Sequence, residues 1–167
     1  MSGTMRVWLA IVIAMFLHGC ATYQPIPEGY TGPVALVADS GVPESGTRAR
    51  IFALMEIDGN KITNAFSASA NASQGQGFRL TTKFVSRPLP ARPMKVKLLA
   101  SHTTAAPIHA LFSQAAGNFF SVEGVVDFVP EPGGEYVVKG DLKKDGSSVW
   151  IEDIRTKQPV TQKIVEK

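Results

Sequence analysis

From Val34 to Val165 the apolar residues recur with a period of two, and turn-forming residues break that alternation repeatedly. A period of two places side chains alternately on the two faces of a sheet, whereas a helix needs about 3.6. Val96, Leu98 and Ala100 alternate with Lys95 and Lys97, and Phe120, Val122, Gly124, Val126 and Phe128 alternate with Ser121, Glu123 and Asp127. Tyr136, Val138, Gly140 and Leu142 follow the turn Glu131-Pro132-Gly133-Gly134. Val149 to Ile154 follows Lys144-Asp145-Gly146, and Val160 to Val165 closes the series. Short strands separated by turn chemistry predict an all-β fold, an antiparallel β-sandwich of about eight strands.

The first half of the alternating region is less regular. Val34 to Ala38 reads as a strand, closed by Asp39-Ser40-Gly41 and a loop to Gly46. Arg50 to Ile57 is apolar on both parities, which predicts a central strand buried on two faces. Asp58-Gly59-Asn60 supplies the positive φ of a type I′ hairpin, so Lys61 to Ala68 is expected to return as the partner strand. Ser67 to Gly77 is small, polar and glycine-rich and is expected to be a mobile loop. Phe78, Leu80, Thr82 and Phe84 alternate as a half-buried strand, and Arg87 to Pro93 reads as a rigid crossing between layers. After Pro107 the apolar residues fit one short helix near 107–116 or an irregular strand. Tyr136 is placed as a corner tyrosine whose hydroxyl bonds the preceding loop.

Ahead of this region, Arg6 precedes an unbroken apolar run from Val7 to Leu17, and Leu17-His18-Gly19-Cys20 ends it. The run would be about 17 Å long as a helix, against roughly 30 Å of hydrocarbon core. A short apolar core behind a positive end is the pattern of a secretory signal. Ala21 to Pro33 holds three prolines and two glycines and is expected to be an extended tether. The single cysteine excludes an internal disulfide. The formal net charge is +3, one of it from Arg6, and the basic residues are scattered singly, so no nucleic-acid partner is expected.

Leu17-His18-Gly19-Cys20 resembles the lipobox of bacterial lipoproteins, with His18 where that pattern has a small residue. The resemblance implies diacylglycerol transfer to the Cys20 thiol, cleavage before it and acylation of the new amino terminus. It divides the chain into a signal peptide (1–19), a lipidated and tethered N-terminus (20–33) and a β-sandwich domain (34–167). Ala21 in place of Asp implies, by the sorting rule of such lipoproteins, an outer-membrane location facing the periplasm. The run from Val125 to Ile164, with its Pro-Gly turn, Tyr136 and Trp150-Ile151-Glu152-Asp153, is similar to small bacterial envelope lipoproteins of Ig-like or transthyretin-like fold.

Chemistry is harder to find. There is no Gly-x-Ser-x-Gly elbow, no Ser-x-x-Lys and no phosphate-binding glycine loop. The loop after Asp58 fails as a calcium site because Ile62 stands at an oxygen-ligand position. His102 and His109 lack zinc spacing and read as backbone-bonded structural histidines. Trp150 reads as a packing residue. The expectation is therefore a non-enzymatic, lipid-anchored envelope protein with no cofactor or metal, presenting an interaction or assembly module to an envelope protein. The alternative is a periplasmic hydrolase or metal-binding protein whose site gathers His102, His109, Asp127 and Glu152, or the two histidines with Met94, from separate strands. Of the two longest loops, Ser67 to Gly77 offers little apolar area, whereas Ser101 to Gly117 offers Ile108, Leu111 and Phe112. Those three either plug an open end of the sandwich or contact a partner. Phe112→Ala separates the readings: a plug loses about 3–5 kcal/mol in denaturant unfolding, while a contact residue keeps its unfolding midpoint and loses capture of crosslinked envelope proteins.

Overall fold

Strands β1 (Val34–Ala38) and β2 (Ser40–Pro43) are separated by Asp39 alone, and at that residue the chain passes from one sheet to the other. The structure, a computed structural model, describes residues 23–105 and 119–166. The remaining elements are β3 (Arg48–Ile57), β4 (Asn60–Lys61), α1 (Ala65–Ser73), β5 (Ser86–Pro90), β6 (Met94–Thr104), β7 (Ser121–Phe128), β8 (Glu135–Asp141), β9 (Ser148–Asp153) and β10 (Ile164–Val165). One sheet runs β10-β9-β8-β1-β5; the other runs β2-β3-β6-β7, with β4 beside β3. The β1–β8 pair is parallel, with Val37 beside Tyr136, and the other pairings are antiparallel. The fold is an all-β sandwich, as the alternation predicts.

The core lies between the sheets. Val96, Leu98 and Ala100 of β6 are fully buried, facing Val37, Leu89, Val138, Val149 and Ile151 of the other sheet in one cluster. β3 is buried on both faces: Phe52 and Leu54 enter that core, while Ile51 and Ala53 meet Ala65 and Phe66 of α1 on the outside. Asp58 and Gly59 take φ of 49° and 80° and close β3 onto β4 as a type I′ turn. The Tyr136 hydroxyl accepts the Glu131 N–H at 2.9 Å, and the ring stands edge-on to Phe128. Before β1, Tyr23 packs against the core, and Tyr30 N–H donates to the Pro27 carbonyl at 3.1 Å.

Five local expectations are corrected. Ser40 to Pro43 is a strand paired with β3, not a loop, and a glycine is needed in it: a Cβ on Gly41 would lie 2.3 Å from the Arg50 carbonyl oxygen. Only Asn60 and Lys61 of the return strand pair with β3, because Asn64 starts a helix where Lys61 to Ala68 was expected to stay extended. Asn64 Oδ1 accepts the N–H groups of Phe66 and Ser67, and Ser67 Oγ accepts the Asn64 N–H, a capping box that satisfies helix-start donors. Most of the expected mobile loop from Ser67 to Gly77 is therefore helix. The stretch from Arg87 to Pro93, expected as a crossing, contains edge strand β5, where Pro88 and Pro90 cost the sheet no shared ladder on the open side. The 107–116 segment lies outside the described residues.

The fifth correction concerns Phe78 to Phe84, which pairs with no strand; both phenylalanines are exposed. Its partner is α1. Ser73 Oγ accepts the Thr81 N–H at 2.9 Å, and Ser69 Oγ accepts the Lys83 N–H at 2.9 Å. Four helical residues rise about 6 Å and two extended residues about 6.6 Å, so serines spaced by four match alternate N–H groups of an extended chain.

One buried ion pair ties these pieces together. The Asp39 carboxylate accepts from Arg87 Nη1 at 3.0 Å and Nη2 at 2.7 Å, from the Leu54 N–H at 3.0 Å and from the Ala65 N–H at 2.7 Å. Asp39→Ala strands the Arg87 charge and two backbone donors and is expected to lose about 3–5 kcal/mol of stability in urea unfolding. Adding Arg87→Met to that variant should recover part of the loss, since it removes the unpaired charge.

Candidate functional site at the polar end of the sandwich

The inward-facing rows of β3 and β6 stay apolar until one end of the sandwich and then become charged. Leu54 stands opposite Leu98 and Phe52 opposite Ala100; the next pairs are Arg50 with His102 and Arg48 with Thr104. Glu44, just past β2, is held over this end because its N–H donates to the Arg48 carbonyl at 2.9 Å. Its carboxylate reaches both arginines, Oε2 to Arg48 Nε at 2.8 Å and Oε1 to Arg50 Nε at 3.2 Å. The Arg50 contact is an ion pair only: its Nε is buried and its N–H is not aligned for a hydrogen bond.

His102 sits beneath this pair, 5% exposed. Arg48 Nη2 lies 2.8 Å and Nε 3.2 Å from its Nδ1, and Glu44 Oε2 lies 3.1 Å from the same atom. A guanidinium only donates and a carboxylate only accepts, so the Arg48 contact calls for Nδ1 as an acceptor and the Glu44 contact for Nδ1–H, and the two compete for one nitrogen. Nε2 is buried without a partner, and the imidazole ring stands tilted against Phe119 and Phe120, with ring centroids 5.7 and 5.9 Å away. Burial, joined by the Arg48 charge and opposed by Glu44, holds the His102 pKa below the usual imidazole value. A cleft of about 550 Å³ opens beside the cluster, lined among others by Ser101, Phe119, Phe120, Lys143, Lys144 and Glu166.

Of the residues named for a hydrolase or metal site, the described ones, Met94, Asp127 and Glu152, do not meet around His102. Asp127 is exposed and pairs with Lys95 at 2.9 Å. The run of β6 from Lys95 to His102 separates them by about 23 Å at roughly 3.3 Å per residue. Met94, buried opposite Phe128, lies about 26 Å from His102 along β6 by the same spacing. Glu152 belongs to the other sheet, opposite Val137. Among the described residues, no three His, Cys, Asp or Glu side chains gather as a metal site. Trp150 is half-buried on the outer face of its sheet with the Lys163 ammonium 4.1 Å over its ring. Cys20, Ile108, His109, Leu111 and Phe112 lie outside the described residues; the β6–β7 connection that carries the last four leaves from Thr104 and returns at Ser121, both at the polar end.

Sequence reading picked out His102 but missed Glu44, Arg48 and Arg50. The signal was present, since Arg48 and Arg50 share the parity of Phe52 and Leu54 and so had to point between the sheets. The chain matches no family model, no curated protein and no solved structure, so its reading rests on its own residues.

A folded-state pKa below the unfolded value means that the unfolded chain binds the proton more readily. The stability from neutral His102 is therefore complete above the unfolded value near 6.5 and is lost as pH falls from there through the folded value. Unfolding free energies from urea titrations between pH 8 and pH 4 should fall across that window by at most about 1.4 kcal/mol per pH unit for this one proton. His102→Gln should remove that part of the slope.

Proposed function

We propose that this chain is a lipid-anchored protein of the bacterial cell envelope, held in the outer membrane through Cys20 and facing the periplasm. Its sandwich acts there as a non-enzymatic interaction or assembly module, and the polar end is its contact surface. The observation that carries the reading is Leu17-His18-Gly19-Cys20 at the end of a short apolar run. A thioether-linked diacylglycerol with a further N-acyl chain supplies the two or more chains that stable anchoring requires. No helix among the described residues is long and apolar enough to cross a membrane.

The polar end supports contact rather than catalysis. The His102 Nε2 is sealed behind Phe119 and Phe120, so the imidazole has no open nitrogen to present to a substrate. Glu44 with Arg48 and Arg50 forms a fixed charged rim beside the Lys143–Lys144 cleft. A rim of oriented charges around an aromatic wall suits selection among protein partners. Cells fed an alkynyl fatty acid should label the wild-type chain, and Cys20→Ala should lose the label and leave the membrane fraction. Equal labelling of the two would rule out the anchoring.

A further inference from the structure

The two flanks of the sandwich are built differently. On one flank the sheets are joined where β1 runs into β2, and the α1-bonded segment from Leu80 to Val85 packs along it, its Leu80 N–H donating to the Gly46 carbonyl and its Val85 carbonyl accepting from Asp39. On the other flank the edge strands are β7 and the two-residue β10. β7 pairs with β6 from Ser121 to Phe128 with no register shift. Among the described residues, the backbone of 121–128 makes no hydrogen bond beyond those to β6.

This edge carries the charges of Glu123 and Asp127 but lacks the other usual guards. β7 has no proline, no lysine and no bulge. β10 does not shield it laterally, because Ile164 packs from across the sandwich: a Cβ on Gly124 would lie 3.0 Å from Ile164 Cγ2. Between the two strands runs a groove of about 270 Å³, lined by Ser121, Val122, Glu123, Ile164, Val165 and Glu166. On the outer face stand Glu123, Val125 and Asp127, with Val125 60% exposed. Lys97 and Lys95 of β6 pair with the two carboxylates, yet these remain 58% and 80% exposed.

We infer that the β7 edge accepts an extended segment of a partner polypeptide as the next strand of the sheet. Main-chain bonds to the open ladder supply affinity, and alternate side chains supply specificity. The alternation fixes the partner's chemistry. Side chains on the outer parity meet Glu123 and Asp127 on either side of Val125, so basic residues suit the two acidic positions. Those on the inner parity enter the narrow groove against Ile164 and must be small and apolar. A second copy of this chain is the wrong occupant, since pairing β7 with β7 sets acidic rows against each other. The inference goes beyond the anchoring and does not depend on it.

The test uses the full-length, ¹⁵N-labelled chain in non-ionic detergent with two probes, capped octapeptides alternating Lys with Val or Glu with Val. The Lys–Val peptide should shift resonances of 121–128 and Ile164 and slow alternate amide exchange in β7 at least tenfold at low salt. It should weaken as salt rises, and the Glu–Val peptide should have no effect. Glu123→Lys with Asp127→Lys should reverse the preference. If that variant does not fold, Glu123→Gln with Asp127→Asn should abolish the salt dependence instead. The inference is overturned if the Lys–Val peptide perturbs other residues or none, if the charge-reversed variant still prefers it, if the neutral variant keeps its salt dependence, or if the chain dimerises through β7.

Discussion

The bidentate contact between Asp39 and Arg87 is the buried centre at which four pieces of chain meet. Its carboxylate stands at the residue where β1 becomes β2, so it is placed by both sheets at once. Arg87 reaches it from the edge strand β5, Leu54 from the centre of β3 and Ala65 from the first turn of α1. Removing a carboxylate from water costs several kcal/mol, and only nearly complete hydrogen bonding offsets that. The site comes close: both oxygens are doubly bonded, and the buried donor left over is Arg87 Nε. The α1 amino terminus also favours a negative charge there. What the pair contributes is position, since a strand that changes sheets must turn at one residue and no other.

Fixing that turn has consequences along the same flank. Once Ala65 is held by Asp39 and Asn64 caps the next two N–H groups, α1 lies over the outer face of β3 and buries Ile51 and Ala53. The face it uses is Ala65, Ser69 and Ser73, three small residues spaced by four. Small side chains let the helix come close, and two of them then bond the segment running back toward β5. The helix thus stands in for an edge strand. It closes one flank of the sandwich by hydrogen bonding, whereas the β7 flank is left open.

Legibility in the sequence followed whether a residue's role was set by periodicity. β6 and β7 could be read because inward and outward positions differ in kind: Val96 against Lys97, Val122 against Glu123. The Asp58-Gly59 turn and the Tyr136 corner could be read because each depends on residues adjacent in sequence. α1 could not, because its buried face is Ala and Ser, which carries no amphipathic signal, and Ser67 replaces the usual acidic or amide partner in its capping box. Arg87 was hidden by its proline neighbours, and Asp39 looked like the opening of a turn. At the polar end His102 stood out as a rare residue type, but the partners that set its state lie 54 and 58 residues away.

The charges that complete the fold also shape its two open surfaces. At the polar end the Glu44 carboxylate contacts two guanidiniums, and the His102 pKa is held below the usual imidazole value beneath them. Lys143 on the nearby hairpin is matched by Asp141 at 2.6 Å, whereas Lys144 has no carboxylate within ion-pair distance among the described residues. On the β7 flank each carboxylate is paired, Glu123 with Lys97 and Asp127 with Lys95, so carboxylates and ammonium groups stand side by side along the edge. Differently charged surfaces on one small domain suit different partners, and screening over about 8 Å at physiological salt lets each act locally. On the assembly role proposed above, two such surfaces would hold two different partners at once, one by charged side chains at an end and the other by backbone along an edge.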